Sequence, residues 1–531
     1  MNLFKKQDGL AAPLVLTILA LFIAGAGLFY YFKLYKGSAP KTTSSIDTVR
    51  IGLKSAPLGF YGQKDIEYES PTFNFNSNIF EGLTTFTKDL KFASRQLVES
   101  WDNPSDTVWR LRLKKGVKFH NGYDFTAEDA KYSIDFAKQY VVKDDIAQVK
   151  QVRIMDPFTI EIETNGPSPL LLNNLINVFV LSKKYSEENG FDKPNGTGPY
   201  KFVENINGKY QLAANENYYL GAPKIKTAIY RVIEDDNSRI DALLSGDVDL
   251  VEDVPAARIG DISVNKKYTL KGVPSLRVIY LGMDVSSPRL KSSSATTNPF
   301  KKLDVRKAIY AAIDEDQIIR TVMGNHAYPA TQLATSVNFG FNPNITRPSV
   351  SIDSAKILLA QAGFADGFDV TLDVPNNRYQ NDELIGKAVA EQLGKIGIRV
   401  KLNAMPKEGF FPKVTDQQDT DFYLLGWSQE NGDAGGAYAT IIHTPSKDSG
   451  YGSFNVGKYS NPVIDDLIQK SDNTVDSVAR LRILQEIAKL ATDDVAVIPL
   501  HQQEDSFVVN RSFDWTPRRD NGIRAFEISA N

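Results

Sequence analysis

Between Val370 and Leu402 the spacing of apolar residues changes from two to about four and back to two, and few architectures accept that change. Val370, Leu372 and Val374 alternate, as in a strand with one buried face. Ile385, Val389, Leu393 and Ile396 then recur at intervals of four, four and three, the stripe of an amphipathic helix, and Gly397 is placed to stop it. Ile398, Val400 and Leu402 alternate again. Two strands joined by a crossover of this length pair in parallel, since antiparallel neighbours need only a tight turn. Elsewhere Val49, Ile51 and Leu53 alternate, and Asp421 to Trp427 reads as a strand. A helix with Asp304 at its cap puts Val305, Ile309 and Ala312 on one face, and a third helix ends at Gly363. The chain is therefore expected to be an α/β protein.

Composition removes much of the chemistry such a fold could carry. Cysteine is absent, which excludes disulfides, thiolate catalysis and cysteine-held metals. The four histidines, His120, His326, His443 and His501, form no i,i+4 pair, and neither G-x-S-x-G nor H-E-x-x-H occurs. Gly452 to Lys458 has the spacing of a phosphate loop, but Tyr459 stands where a magnesium-binding Ser or Thr belongs. With 61 Lys+Arg against 64 Asp+Glu, the net charge of −3 favours no polyanionic partner, so no nucleic acid is expected. No enzyme activity, cofactor or metal is expected either. The 531 residues allow two to four domains by a prior of roughly 150 residues each.

No charged residue occurs from Gly9 to Phe32, a run of 24 that would reach about 36 Å as a helix and cross a bilayer. Lys5 and Lys6 precede it, and Ala24, Gly25 and Ala26 suit signal cleavage, but the apolar run continues through Leu28 to Phe32. Residues 1–8 are thus expected to be a cytoplasmic N-terminus, 9–32 a transmembrane anchor or uncleaved signal, and 33–46 a linker. The body would then lie on the extracytoplasmic side of the cell membrane, held there by a single pass.

The longest informative block runs from Thr107 to Asp129 (TVWRLRLKKGVKFHNGYDFTAED). Val108, Leu111 and Leu113 supply the apolar side of a strand, Gly116 and Asn121-Gly122 permit turns, and Thr126 caps a helix with Asp129 three residues on. This block resembles the signature of the peptide/nickel class of extracytoplasmic solute-binding proteins of ABC importers. Further blocks come in that family's order: Ile79 to Leu83, Leu97 to Trp101, Gly196 to Tyr200, Asn215 to Tyr219, Arg239 to Asp249, Asp304 to Asp314, Ala355 to Gly363 and Val497 to Leu500. The resemblance spans about residues 47 to 520.

It implies a two-lobed periplasmic-binding-protein-like fold, class II type with an extra subdomain. Lobe I would comprise residues 47–73, 192–283 and 492–531, the subdomain 74–191, and lobe II 284–491. It also implies a monomer that passes a peptide to ABC permease and ATPase subunits, with a nickel complex, an oligosaccharide, or a sensory or chaperone-like role as alternatives. Peptide-binding members hold the ligand as an added strand. Here that implies main-chain contacts at Gly426, Trp427 and Ser428, facing Tyr68 to Ser70, with Glu430 pairing the ligand ammonium and Asp433 as a possible substitute.

Overall fold

The computed structural model describes residues 46–531 except 64–68, 94–95, 141, 144 and 294. Residues Thr48–Asn531 form one compact unit. Its first strand, β1 (Thr48–Leu53), buries Val49, Ile51 and Leu53, as their alternation requires. Helix α1 (Ser70–Asn76) follows, opened by Pro71 in its first turn. Next comes a separate antiparallel sheet of β2 (Val98–Ser105), β3 (Val108–Leu113), β4 (Val149–Asp156) and β5 (Thr159–Thr164), in the order β2-β3-β5-β4. On β3 the buried face is Trp109, Leu111 and Leu113, and Val108 is only half-buried, because alternation places it opposite the other two. Helix α2 (Ala127–Ala137) packs Ala130 and Ile134 into this core and starts with the expected capping box, Asp129 accepting from the Thr126 N–H at 2.9 Å.

The main sheet has eleven strands. On one side lie β6 (Tyr200–Ile206), β7 (Lys209–Ala214), β8 (Thr227–Val232) and β9 (Leu250–Glu252), with β1 between β8 and β9. Then comes β10 (Tyr268–Met283), 16 residues long, and on the other side β11 (Phe368–Pro375), β12 (Ile398–Met405) and β13 (Phe422–Ser428). The last long strand, β14 (Ile498–Asn510), runs antiparallel to β10, and the two pass through both halves of the sheet. Late β14 pairs with β9 on one side and with early β10 on the other, whereas late β10 pairs with β13. Between Pro274↔Glu504 and Val278↔Gln502 the register shifts, so Ser275, Leu276 and Arg277 oppose Gln503 alone.

The expected strand-helix-strand unit is present: β11 and β12 pair in parallel from Phe368↔Ile398 to Pro375↔Met405, joined by α3 (Asp382–Gly394), whose Ile385, Val389 and Leu393 are fully buried. The helix stops before Gly397, whose φ of 88° instead makes the turn into β12. Asp304 lies inside the first turn of its helix, which is preceded by Lys302 as the capping residue. The architecture is a two-lobed α/β fold with an extra subdomain.

The expected membrane-spanning helix, the membrane partnership through it and the single-pass localisation do not stand. Among the described residues no helix is long and apolar enough to cross a membrane, and residues 9–32 lie outside them. The longest described helix, α4 (Ser477–Asp493), has 17 residues and carries Arg480, Arg482, Glu486 and Lys489, which would have to be desolvated in lipid.

Candidate ligand-binding site

Strand β13 is flanked unequally. On one side it pairs with β10 along its whole length, from Met283↔Phe422 to Arg277↔Ser428. On the other, β11 pairs only with Phe422 and Tyr423, so Leu424 to Ser428 run on without a strand partner among the described residues. Such an edge offers main-chain donors and acceptors to an incoming chain. Gly426, Trp427 and Ser428 lie on it, each half-buried. Gly426 has to be small, because a Cβ there would sit 2.9 Å from the ring of Tyr379 and 2.8 Å from Ile279. Tyr379 also donates its hydroxyl to the Gly426 carbonyl at 3.4 Å. Trp427 donates from its indole to Gln429 Oε1 at 3.0 Å, and its ring centre lies 5.4 Å from that of Phe454.

Two cations flank Tyr379. The guanidinium of Arg277 lies 5.8 Å from the ring centre and that of Arg378 5.3 Å. Among the described residues neither has a carboxylate within salt-bridge distance. Burial lowers the Arg378 pKa and the nearby charge of Arg277 lowers it further. Both arginines and Tyr379 escaped the sequence reading, since nothing local distinguishes two of 61 cationic side chains.

At the end of the same edge Glu430 accepts from Ser70 Oγ, 3.3 and 3.4 Å from its two oxygens. Its side chain keeps solvent contact along the crevice although protein surrounds it. That burial raises its pKa, against the opposing influence of Arg277 and Ser70. Asp433 is differently committed: it is buried, accepts from Arg480 Nη2 and from the Gly435 N–H, each at 2.8 Å, and bonds Arg480 Nη1 through its other oxygen. Both of its oxygens are occupied within the protein. Tyr68 lies outside the described residues, whereas Ser70 opens α1.

Glu430 and Ser70 line a cavity of about 150 Å³ with Phe73, Asn74, Asn173, Asn177, Asp520 and Arg524 among its walls. Across it, the Asn173 amide donates to the Asn431 carbonyl at 2.9 Å, so the 429–433 loop touches the subdomain directly. A second cavity shares Ser70 and Asn74 and is bordered by Lys54, Glu252 and Asp253. Burial pushes the Glu252 pKa up to about 7, with Asp253 adding to the rise. No group of three or more His, Cys, Asp or Glu among the described residues is arranged to hold a metal ion. A walled cavity, an open strand edge and charged groups beside it suit capture of a small solute between two halves of one sheet.

A family model for bacterial extracellular solute-binding proteins, family 5 (Middle), matches residues 94–449. The chain belongs to that family. This family 5 protein delivers a small solute to an ABC permease and is a binding protein, not an enzyme. Among curated relatives, the glutathione-binding protein GsiB of Pectobacterium atrosepticum is 27% identical over 435 residues, covering 77% of this chain and 80% of the relative. Among solved structures, HbpA2 from Haemophilus parasuis superposes with a TM-score of 0.79 at 20% identity, over 91% of this chain and all (100%) of that one. The periplasmic binding protein DppA from Helicobacter pylori, in complex with the peptide STSA, gives 0.68 at 22% identity over 91% and 98%.

Proposed function

We propose that the solute of this family 5 protein is peptide-like, with an ammonium group at Glu430, its main chain along the free edge of β13 and a carboxylate toward Arg277 and Arg378. The observation that carries this reading is the unpaired edge from Leu424 to Ser428, with an acid beyond one end and two unpartnered guanidinium groups beside it. Main-chain hydrogen bonding recognises any peptide backbone, while the acid and the guanidinium groups beside the edge select charged groups of the ligand. The relative named for glutathione, itself a peptide with a γ-linked glutamyl residue, supports extending the class to γ-linked peptides.

Lobe I is assigned to residues 47–73, 192–283 and 492–531, the extra subdomain to 74–191 and lobe II to 284–491. The hinge in this reading lies in β10 and β14 at the register shift from Ser275 to Arg277, a few residues before the lobe I boundary at residue 283. Main-chain pairing is interrupted there, so bending costs less than in a continuous ladder, and Arg277 stands in the bulge where ligand charge and lobe angle meet.

Calorimetry on Glu430→Gln tests the ammonium contact. The variant should lose about tenfold or more in affinity for a free tripeptide, and far less for its N-acetylated form, since a desolvated ion pair contributes in the range of a few kcal/mol. Equal losses for the two ligands would remove the contact.

A further inference from the structure

Arg518, Asp520, Arg524 and Glu527 form a charge cluster at the floor of the crevice, and its pairing is uneven. Arg518 takes both acids: Nε and Nη2 reach Asp520 at 2.9 and 2.7 Å, and Nη1 reaches Glu527 at 2.8 Å. It also donates to the Phe86 and Thr87 carbonyls at 3.3 Å. Glu527 Oε2 is left buried without a hydrogen bond, and neither acid reaches Arg524 at hydrogen-bond distance. The nearest carboxylate among the described residues, that of Asp520, comes no closer than 3.7 Å, from Oδ2 to Arg524 Nη2, too far for a hydrogen bond. Its Nε is buried with no acceptor. Yet the side chain is only 17% exposed and borders the same cavity as Glu430.

A guanidinium whose Nε is buried without an acceptor carries a desolvation cost, which proteins resolve with a counter-ion, water or a ligand anion. The cavity can supply the last. Its roughly 150 Å³ is well above what a single water needs and leaves room for a carboxylate and an ammonium on one carbon. Asn74, Asn173 and Asn177 also border it, while Phe73, Phe86 and Ile176 form its apolar side.

We propose that Arg524 is the anion-binding half of a subsite for a free amino-acid head group, whose ammonium lies at Glu430 and whose carboxylate lies at Arg524. The proposal rests on the placement of the ammonium at Glu430 given above and sharpens the substrate class. A head of this kind is present in γ-linked glutamyl peptides and other compounds with an unblocked α-amino-acid terminus. It is lacking in ordinary peptides, whose first carboxyl group is consumed in an amide.

The test compares γ-L-glutamyl-L-alanylglycine with 4-aminobutyryl-L-alanylglycine, which retains the chain and ammonium and lacks only the α-carboxylate. The full chain should prefer the glutamyl compound by about tenfold or more, the range of a charge-assisted bidentate contact. Arg524→Gln should bring that ratio to within about twofold of unity while changing affinity for the 4-aminobutyryl compound little. Asn74→Asp, nearly isosteric and bordering the same cavity, should lower the ratio as well, and it keeps the test available where Arg524→Gln fails to fold. Equal affinities in the unaltered protein, or a ratio unmoved in both variants, would overturn the subsite. Glu430→Gln separates the two ideas: it should weaken both compounds alike and leave their ratio intact. If it weakens neither while Arg524→Gln collapses the ratio, the anion contact stands and the ammonium placement falls.

Discussion

Replacing Asp433 by asparagine separates a residue that binds ligand from one that holds the binding loop. The carboxylate is buried against Arg480, whose side chain is 3% exposed, and it also accepts from the Gly435 N–H. Asparagine retains the shape and one acceptor oxygen, but sets an NH2 group against the guanidinium and removes the counter-charge. The charge-assisted bond lost is worth about 1.5–3 kcal/mol. The stranded cation brings the total to about 3–5 kcal/mol, the range for breaking one side of a buried pair. The bond from Arg480 Nε to the Ser471 carbonyl at 3.0 Å survives and prevents a larger loss. Urea unfolding followed by tryptophan fluorescence and by far-UV circular dichroism should show an earlier midpoint with an unchanged slope, the two probes coinciding. Asp433→Asn combined with Arg480→Met should recover a substantial part of the loss, because no charge is then left buried. A loss below about 1 kcal/mol, or intact stability with abolished ligand binding, would refute this reasoning and restore Asp433 as a ligand group.

Two other predictions concern the scaffold. Asp505, opposite Val273 where β10 and β14 cross, keeps some solvent contact, yet burial and then Asp253 push its pKa up to about 8 against the pull of Arg277. The folded value lies above the unfolded one of about 3.9, so the stability this group permits is present below pH about 4 and lost as pH rises toward 8. Asp505→Asn should therefore raise the urea midpoint over the unaltered protein by a margin that grows across that window, and a constant margin would contradict the assignment. Gly198→Ala should cost about 1–3 kcal/mol in the same assay, since its Cβ would fall 2.5 Å from the Ile79 carbonyl oxygen, a backbone atom with no rotamer to yield. Ligand affinity of the folded fraction should remain unchanged; selective loss of affinity would make the Gly196 to Tyr200 block part of the site.

Legibility in the sequence followed the range of the interaction. The unit from Val370 to Leu402 was readable because each side chain's burial is set by its own strand or helix period. The capping box at Thr126 and Asp129 was readable for the same reason, since its partners are three residues apart. Glu430 and Asp433 show the opposite case. They are two acids in one loop, and their neighbours in sequence do not say which is occupied. The distinction comes from Arg480 and Ser70, 47 and 360 residues away.

By itself the amino-acid order determined the α/β class, the family-specific blocks and the local turns, all of which depend on short-range periodicity and backbone preference. Tertiary structure alone decided where pairing beside β13 stops, which guanidinium groups remain without partners and which acid faces the crevice. Those outcomes depend on electrostatic and hydrogen-bond saturation among segments hundreds of residues apart, and a charge reveals whether it is spare only when every possible partner has been brought within reach.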